Sequence, residues 1–397
     1  MDIISELDGK RILIWGYGRE GKATEHFLER CAKPESVDIF EGKREEINED
    51  AYDFIIKSPG IVMKEENPKY TSETELFLQQ FRDQVIGITG TKGKSTTSAM
   101  LYTVLKACSG RPVLLLGNIG QPCLDYFEEV TEDTIIVYEM SCHQLAHTNV
   151  SPHIAIFLNL YEEHLDYYGT VEKYFEAKSH IAAYQKSGDF FFVGENVPKI
   201  ETKAEKTVLH QPKDVHYKLR LAGEHNQYDA QFVEHVAELL GCEKEAVLKS
   251  MAEFEGLPHR LQYIGTYRGV RYFDDSISTI PEAAINAAMS IPDAKTILIG
   301  GMDRGINYDL LITFIREHRE FQFICAYASG KRIFGEVGDC ENCVYVEDLE
   351  QAVEAAVQMT EPGGACILSP AAASYGYFKN FEERGEAFQK YVYAFAQ

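Results

Sequence analysis

The chain has 397 residues, more than one ordinary hydrophobic core accommodates, and its 45% hydrophobic and 25% charged content is that of a globular protein. With 62 acidic against 39 basic side chains the net charge is −23, which excludes nucleic acid or an anionic membrane as partner of the surface at large. An anionic substrate must therefore be caught by local groups: backbone amides, a few Lys and Arg, or a metal.

The N-terminus "MDIISELDGKR" is acidic without an apolar signal core, and no run approaches membrane-spanning length. A cytoplasmic chain with no membrane insertion is expected. Strands and helices then alternate along the chain, which predicts an α/β fold with parallel sheets flanked by helices. Lys10 to Trp15 reads as a strand, "EGKATEHFLER" as a helix, Val37 to Phe40 and "YDFIIKSPGI" as further strands. A second unit begins at Val85 with strands "PVLLLG", "TIIVYEM", "HIAIFLNL" and "GDFFFVG" and a helix around Gln227 to Leu240; "VPKIETKAEKTVLHQPKD" reads as loops and short edge strands. After "LPHR" come strands "GVRYFDD", "TILIGG", "FQFICAYA", "CVYVED" and "ACILSP" with helices between. The expectation is three consecutive α/β domains, 1–83, 84–256 and 257–397. Nine scattered cysteines suit reduced thiols. Cys340 and Cys343 form one CxxC, which lacks the second pair of a zinc ribbon and does not open a helix, so both read as incidental loop cysteines.

Two glycine-rich turns follow strands and open helices. In "GITGTKGKSTT" the G-x-x-G-K-S form begins at Gly90; Ile88 stands where the longer phosphate-loop pattern has its glycine. Backbone amides from Gly90 to Thr96 can surround a polyphosphate, the Lys94 ammonium can reach its β- and γ-phosphates, and the Ser95 or Thr96 hydroxyl can ligate Mg²⁺. Gly90, Thr91, Lys92, Gly93, Lys94, Ser95 and Thr96 are thus the candidate ATP site. The earlier turn, "GYGREG" from Gly16 to Gly21, fits a dinucleotide fingerprint with Glu41 ending the next strand. The same geometry serves any pyrophosphate, or a plain tight turn.

Further stretches narrow the choice: "LGNIG", "YEMSCHQL", "NLYEEHLDYYGTVEKYFEAKSHI", "GEHN", "LPHRLQ", "DDSISTIPEAAINA" and "SPAAASYGYFKNFEERGEAF". Together, and in order over nearly the whole chain, they resemble the Mur ligase family. The resemblance implies a Rossmann-like UDP-binding domain, a central P-loop ATPase domain and a Rossmann-like C-terminal domain, acting as a monomer. One glycine-rich turn would hold the pyrophosphate of a UDP-linked substrate and the other ATP. Gly16, Tyr17, Gly18, Gly21, Glu41, Asn118 and Ser141 would then face the UDP-substrate. Glu139, His164, Ser95 and Lys178 would hold Mg²⁺, a carboxylate and an imidazole at strand ends being plausible partners of phosphate-bound metal. The resemblance marks Lys178 as carbamylated by CO₂; on residues alone it reads as a snorkelling lysine, on the same helix face as Phe175 and Ile181. His259 and Arg260 would act near the ATP phosphates, and Asn226 and Asp275 would contact adenine and ribose. Asp229 stands where asparagine is more usual.

Thr279, Arg304, Ser374, Tyr375 and Phe381 match the family's glutamate-binding segments. Thr279 with Glu282 also reads as a capping box. Arg304 and Ile277 replace lysines, and "PAAAS" replaces "PACAS"; these departures leave D-glutamate, L-glutamate and another amino acid all open. The implied reaction is ATP-dependent ligation of glutamate to UDP-N-acetylmuramoyl-L-alanine through an acyl phosphate, with ATP and Mg²⁺ as cofactors. Three alternatives compete. A nicotinamide dehydrogenase built on "GYGREG" leaves Gly90–Thr96 unexplained, and a folylpolyglutamate-synthase-like ligase leaves the preceding α/β segment unexplained. A non-catalytic binding module leaves the separate catalytic-looking motifs without a role.

Overall fold

A computed structural model describes residues 2–61, 67–163, 165–212, 216–221 and 223–396. Contacts divide the chain into two units, Met1–Lys218 with His225–Ala252 and Leu219–Glu224 with Glu253–Gln397.

The first unit contains two parallel sheets. Helix α1 (Ile3–Leu7) leads into β1 (Arg11–Trp15), α2 (Arg19–Cys31), β2 (Ser36–Phe40), β3 (Phe54–Lys57), β4 (Tyr70–Thr71) and α3 (Glu73–Phe81), with strand order β2-β1-β3-β4. The short strand β4 was not legible as one. The second sheet is built from β5 (Val85–Thr89), α4 (Lys94–Cys108), β6 (Val113–Gly117), β7 (Ile135–Glu139), α5 (Cys142–Leu145), β8 (Ile154–Phe157), α6 (Leu165–Tyr168), α7 (Val171–Ala183), β9 (Phe190–Gly194) and β10 (Glu205–Leu209). Helices α8 (Glu224–Leu239) and α9 (Lys244–Glu253) follow. Its order is β10-β9-β8-β5-β7-β6. Strands β5, β7 and β8 are buried at every position, which explains their unbroken apolar sequences: a parallel strand covered on both faces has no solvent side. Helix α3 serves both sheets, because Leu76, Phe77 and Leu78 share one core with Ile12, Ile14, Ile136 and Phe157.

The second unit holds β11 (Gln262–Tyr267), β12 (Val270–Asp274), α10 (Pro281–Ser290), β13 (Ala294–Ile299), α11 (Asp309–Glu317), β14 (Gln322–Ala326), α12 (Tyr327–Val337), β15 (Cys343–Val346), α13 (Leu349–Met359), β16 (Ala365–Leu368) and α14 (Phe381–Ala396). The order is β11-β12-β16-β13-β14-β15, parallel except for the β11–β12 hairpin. Strand β11 is missing from the sequence reading, because a register shift between Tyr263 and Gly265 breaks its alternation. The α/β class and the strand–helix alternation agree with expectation.

Two local readings are corrected. The Thr279–Glu282 capping box does not form: α10 starts at Pro281 with Ile280 as its cap and no side-chain cap. Proline at the first helical position brings a preset φ and no N–H to satisfy, so a hydroxyl cap is dispensable there. The CxxC cysteines are core residues rather than loop bystanders. Both are buried, and Cys343 opens β15 with its Sγ 3.4 Å from Cys325 Sγ on the neighbouring strand.

Candidate active site

Strand order in the second sheet reverses around β5, so the carboxyl ends of β5, β7 and β8 form the crevice where open α/β sheets bind ligands. The loop Gly90–Gly93 fills that end and caps α4. Gly93 has φ +84°, and a Cβ there would lie 2.7 Å from both carboxylate oxygens of Asp229, so only glycine fits. Asp229, buried under the loop, is a support for Gly93, and its burial pushes its carboxyl well above the usual range.

Two ammonium groups converge on this loop. Lys94 Nζ donates to the carbonyls of Gly90 and Thr91, each at 3.0 Å. Lys178 Nζ donates to the same Gly90 carbonyl at 2.9 Å and to Thr89 Oγ1 at 3.3 Å, and lies 4.9 Å from the Tyr174 ring centre. Helix α7 turns Lys178 and Ile181 inward, as the spacing predicts, together with Tyr174 and Ala177, whereas Phe175 is only half-buried; Lys178 is left 1% exposed. Burial first, and the Lys94 charge second, push the Lys178 amine down to about 7. Burial also lowers Lys94, opposed by Glu139 and Glu163.

Glu139 ends β7, fully buried. Its Oε1 accepts from Asn118 Nδ2 at 2.7 Å, whereas Oε2 is buried with no hydrogen-bond partner among the described residues. An orphaned carboxylate oxygen costs free energy unless something occupies it, and a hard cation such as Mg²⁺ fits that oxygen. Ser95 and Thr96 lie in the first turn of α4. His164, the other candidate ligand, lies outside the described residues. Among the described residues no three His, Cys, Asp or Glu side chains gather into a metal cage, so a bound Mg²⁺ would share its coordination with phosphate oxygens and water.

A cavity of about 400 Å³ opens beside the loop. Its wall brings together the expected Lys94, Asn118, Ser141 and Lys178 with residues not foreseen, Glu20, Gln144 and Tyr174 among them. Ser141 and Gln144 form a full capping box on α5; the S-x-x-Q spacing could have revealed it. Gln144 Nε2 donates to Glu20 Oε1 at 2.9 Å, and Arg19 donates to the Gly120 carbonyl at 2.8 Å. These bonds fasten the "GYGREG" turn, whose Gly18 caps α2, to the second sheet. Glu20 gave no signal because the fingerprint of that turn rests on its glycines and leaves the position between Arg19 and Gly21 unspecified. The other expected residues are more peripheral. The Tyr17 hydroxyl donates to Glu25, Glu41 is exposed just past β2, and Lys92 is exposed and paired with Glu163. Asn226 is buried near the start of α8.

In the second unit, His259 Nδ1 lies 2.8 Å from Asp274 Oδ2, which raises the imidazole pKa above 6.5. Gly385 of α14 makes room for that pair: a Cβ there would lie 2.0 Å from His259 Nδ1. Gly385→Ala should therefore drive the pair apart and lower Tm by several degrees, roughly the effect of 1–3 kcal/mol of overpacking. A group raised on folding stabilises fully below its unfolded pKa and loses that contribution as pH rises through the folded value. Wild type should accordingly lose stability on alkalinisation past neutrality, and Gly385→Ala should lose less, as pH-dependent melting would show.

Asp275 is buried with both oxygens engaged, by Leu261 N and by the Ser278 and Ser369 hydroxyls, so a ribose contact competes with these partners. Arg260 is exposed and Thr279 half-buried. The loop carrying Arg304 is bridged to the segment carrying Ser374 by Met302 and Ala373, leaving Arg304 and Tyr375 exposed and Ser374 buried. Phe381 opens α14, and its carbonyl accepts from Ser276 Oγ. Arg384, unforeseen, is fully buried and donates to Ser276 and the Ala372 carbonyl, tying "DDSIS" to "SPAAAS".

Known proteins resemble this arrangement. Residues 88–235 match the Mur ligase middle domain. The chain is 30% identical to the UDP-N-acetylmuramoylalanine--D-glutamate ligase of Aquifex aeolicus, with 96% of this chain and 98% of the relative covered. It is 32% identical to the same-named ligase of Geobacillus kaustophilus, over 86% and 84%. In fold it is similar to the UDP-N-acetylmuramate-alanine ligase of Thermotoga maritima (TM-score 0.60, 18% identity, 97% and 99% covered). A MurF ligase of the same organism, solved with ADP, is equally similar (TM-score 0.60, 16% identity, 98% and 96% covered). With the phosphate loop, the N-terminal glycine-rich turn and the cavity they share all accounted for over nearly its full length, this chain belongs to the Mur ligase family.

Proposed function

We propose that the chain joins D-glutamate to UDP-N-acetylmuramoyl-L-alanine at the expense of ATP, as a monomer in the cytoplasm and as a step in peptidoglycan synthesis. One observation carries this reading: the phosphate loop with Lys94 and the N-terminal glycine-rich turn open on one cavity, with Asn118 and Ser141 between. A dehydrogenase leaves the phosphate loop idle, and a folylpolyglutamate-type ligase leaves the N-terminal turn idle.

The substrate carboxylate attacks the γ-phosphorus of ATP, giving an acyl phosphate and ADP. The amine of glutamate then attacks the acyl carbon, phosphate leaves, and the amine's surplus proton passes to solvent. Amide formation in water is uphill, so phosphate activation supplies the driving force. Lys94 offsets charge developing on the transferred phosphoryl group, and Arg260 is assigned the same task. Asn118 and Ser141 orient the UDP-substrate so that its carboxylate faces the loop. Glu139, Ser95, His164 and a carbamylated Lys178 would hold Mg²⁺, which when bound neutralises phosphate charge. His259 is assigned to orienting Arg260.

Arg304 and Ser374 are assigned to the carboxylates of glutamate; the Met302–Ala373 bridge that joins their loops supports this. Arg304→Ala should raise the glutamate KM roughly tenfold to a hundredfold, the scale of a charge-assisted hydrogen bond, with little effect on the ATP KM. Equal rises in both constants would remove Arg304 from the glutamate site.

A further inference from the structure

The cavity wall contains a carboxyl that the proposed reaction does not use. Glu20 Oε1 is held by Gln144 Nε2, and that amide cannot be reversed because its own oxygen accepts from Ser141 N at 2.9 Å. Glu20 Oε2 is buried with no donor beside it among the described residues. Behind it a narrow gap, too small to hold a water, is lined by residues that include Glu20, Thr24, Lys57 and Glu73. Glu73, on α3 and 2% exposed, accepts from Leu124 N at 2.9 Å with one oxygen. Lys57 spends its ammonium on the carbonyls of Ser58 and Ile61. Among the described residues neither carboxyl forms an ion pair. Two carboxyls facing one gap, with the Lys57 ammonium beside them but bonded to neither, cannot both ionise cheaply.

We propose that Glu20 and Glu73 share one proton, and that this proton makes Glu20 a positioning residue, keeping the cavity wall free of a second negative charge when an anionic UDP-linked substrate is seated there. This rests on the function proposed above. Burial raises both groups; the Glu20 charge raises Glu73 further, whereas a hydrogen bond from Glu73 lowers Glu20. Of the charges around the pair, Lys57 and Arg19 favour ionisation of Glu20, whereas Asp125 opposes that of Glu73; Gln144, Leu124 N and Cys123 Sγ are the polar neighbours. Loss of the shared proton would place a dianion beside the substrate's phosphates and load the Glu20–Gln144–Ser141 chain that fixes the wall.

The test is calorimetric binding of UDP-N-acetylmuramoyl-L-alanine, without ATP, across neutral to alkaline pH. Wild-type affinity should fall by up to about tenfold per pH unit once the shared proton is lost. In Glu73→Gln, where an amide N–H stands in for that proton, this part of the fall should disappear and leave only the shallower fall that comes from discharging the Lys178 and Lys57 amines, and Glu20→Ala should weaken binding at every pH. Infrared difference spectra of substrate-free protein should show a protonated carboxyl band that Glu73→Gln or Glu20→Gln removes; if one variant fails to fold, the other decides. An alkaline fall as steep in both Gln variants as in wild type, or no band lost in either, overturns the proposal. Binding with the expected pH profile but no ADP release would instead sink the ligase reading alone; no binding in any form would sink both.

Discussion

Replacing Lys94 by alanine should lower ADP formation by a factor on the order of 10²–10³ or more, the scale seen when one preorganised donor to a developing negative charge is removed. The Lys94 ammonium donates to the Gly90 and Thr91 carbonyls, contacts that water can replace at a half-buried position. The far-ultraviolet spectrum and the melting temperature should therefore change little. Retention of most activity would mean that this loop does not cradle the transferred phosphate.

Lys178→Ala should be comparably damaging, by about 10²-fold, and for a chemically specific reason. An amine with a pKa near 7 is roughly half neutral at pH 7, against a few parts in ten thousand for an ordinary lysine. Only the neutral amine attacks CO₂, forming the N–C bond of a carbamate and releasing one proton. The product replaces a charge that repels both Lys94 and a cation with an anionic oxygen donor. Activity should accordingly rise with bicarbonate in carbonate-depleted enzyme, and mass spectrometry under non-denaturing conditions should show the added carboxyl. Short carboxylic acids should partly rescue Lys178→Ala by standing in for the carbamate. Indifference to bicarbonate together with full activity of Lys178→Arg would refute the modification.

How much of this was legible in the sequence depends on whether a residue's neighbours lie close in the chain. The phosphate loop is a local device, so its strand, its Gly93 turn and its helix were read correctly. So was the inward face of α7, because helical spacing alone puts Lys178 beside Ile181. What failed was long-range. Glu20 and Gln144 are 124 residues apart and Glu20 carries no motif of its own. Arg384 acts by reaching Ser276, 108 residues away, while Gly385 matters only because His259 lies against it. Thr279 failed for the opposite reason: a local signature was present, but Pro281 starts the helix one residue later than a Thr279 cap requires.

The most direct measurement of the proposed reaction is ADP release by the purified chain with Mg-ATP, UDP-N-acetylmuramoyl-L-alanine and a panel of D- and L-amino acids. ADP should appear with a dipeptidyl product of matching stoichiometry only when ATP, the UDP-substrate and D-glutamate are all present, and L-glutamate should be a poor replacement. ADP release that ignores the UDP-substrate, or an equal or greater rate with a different amino acid, would contradict it.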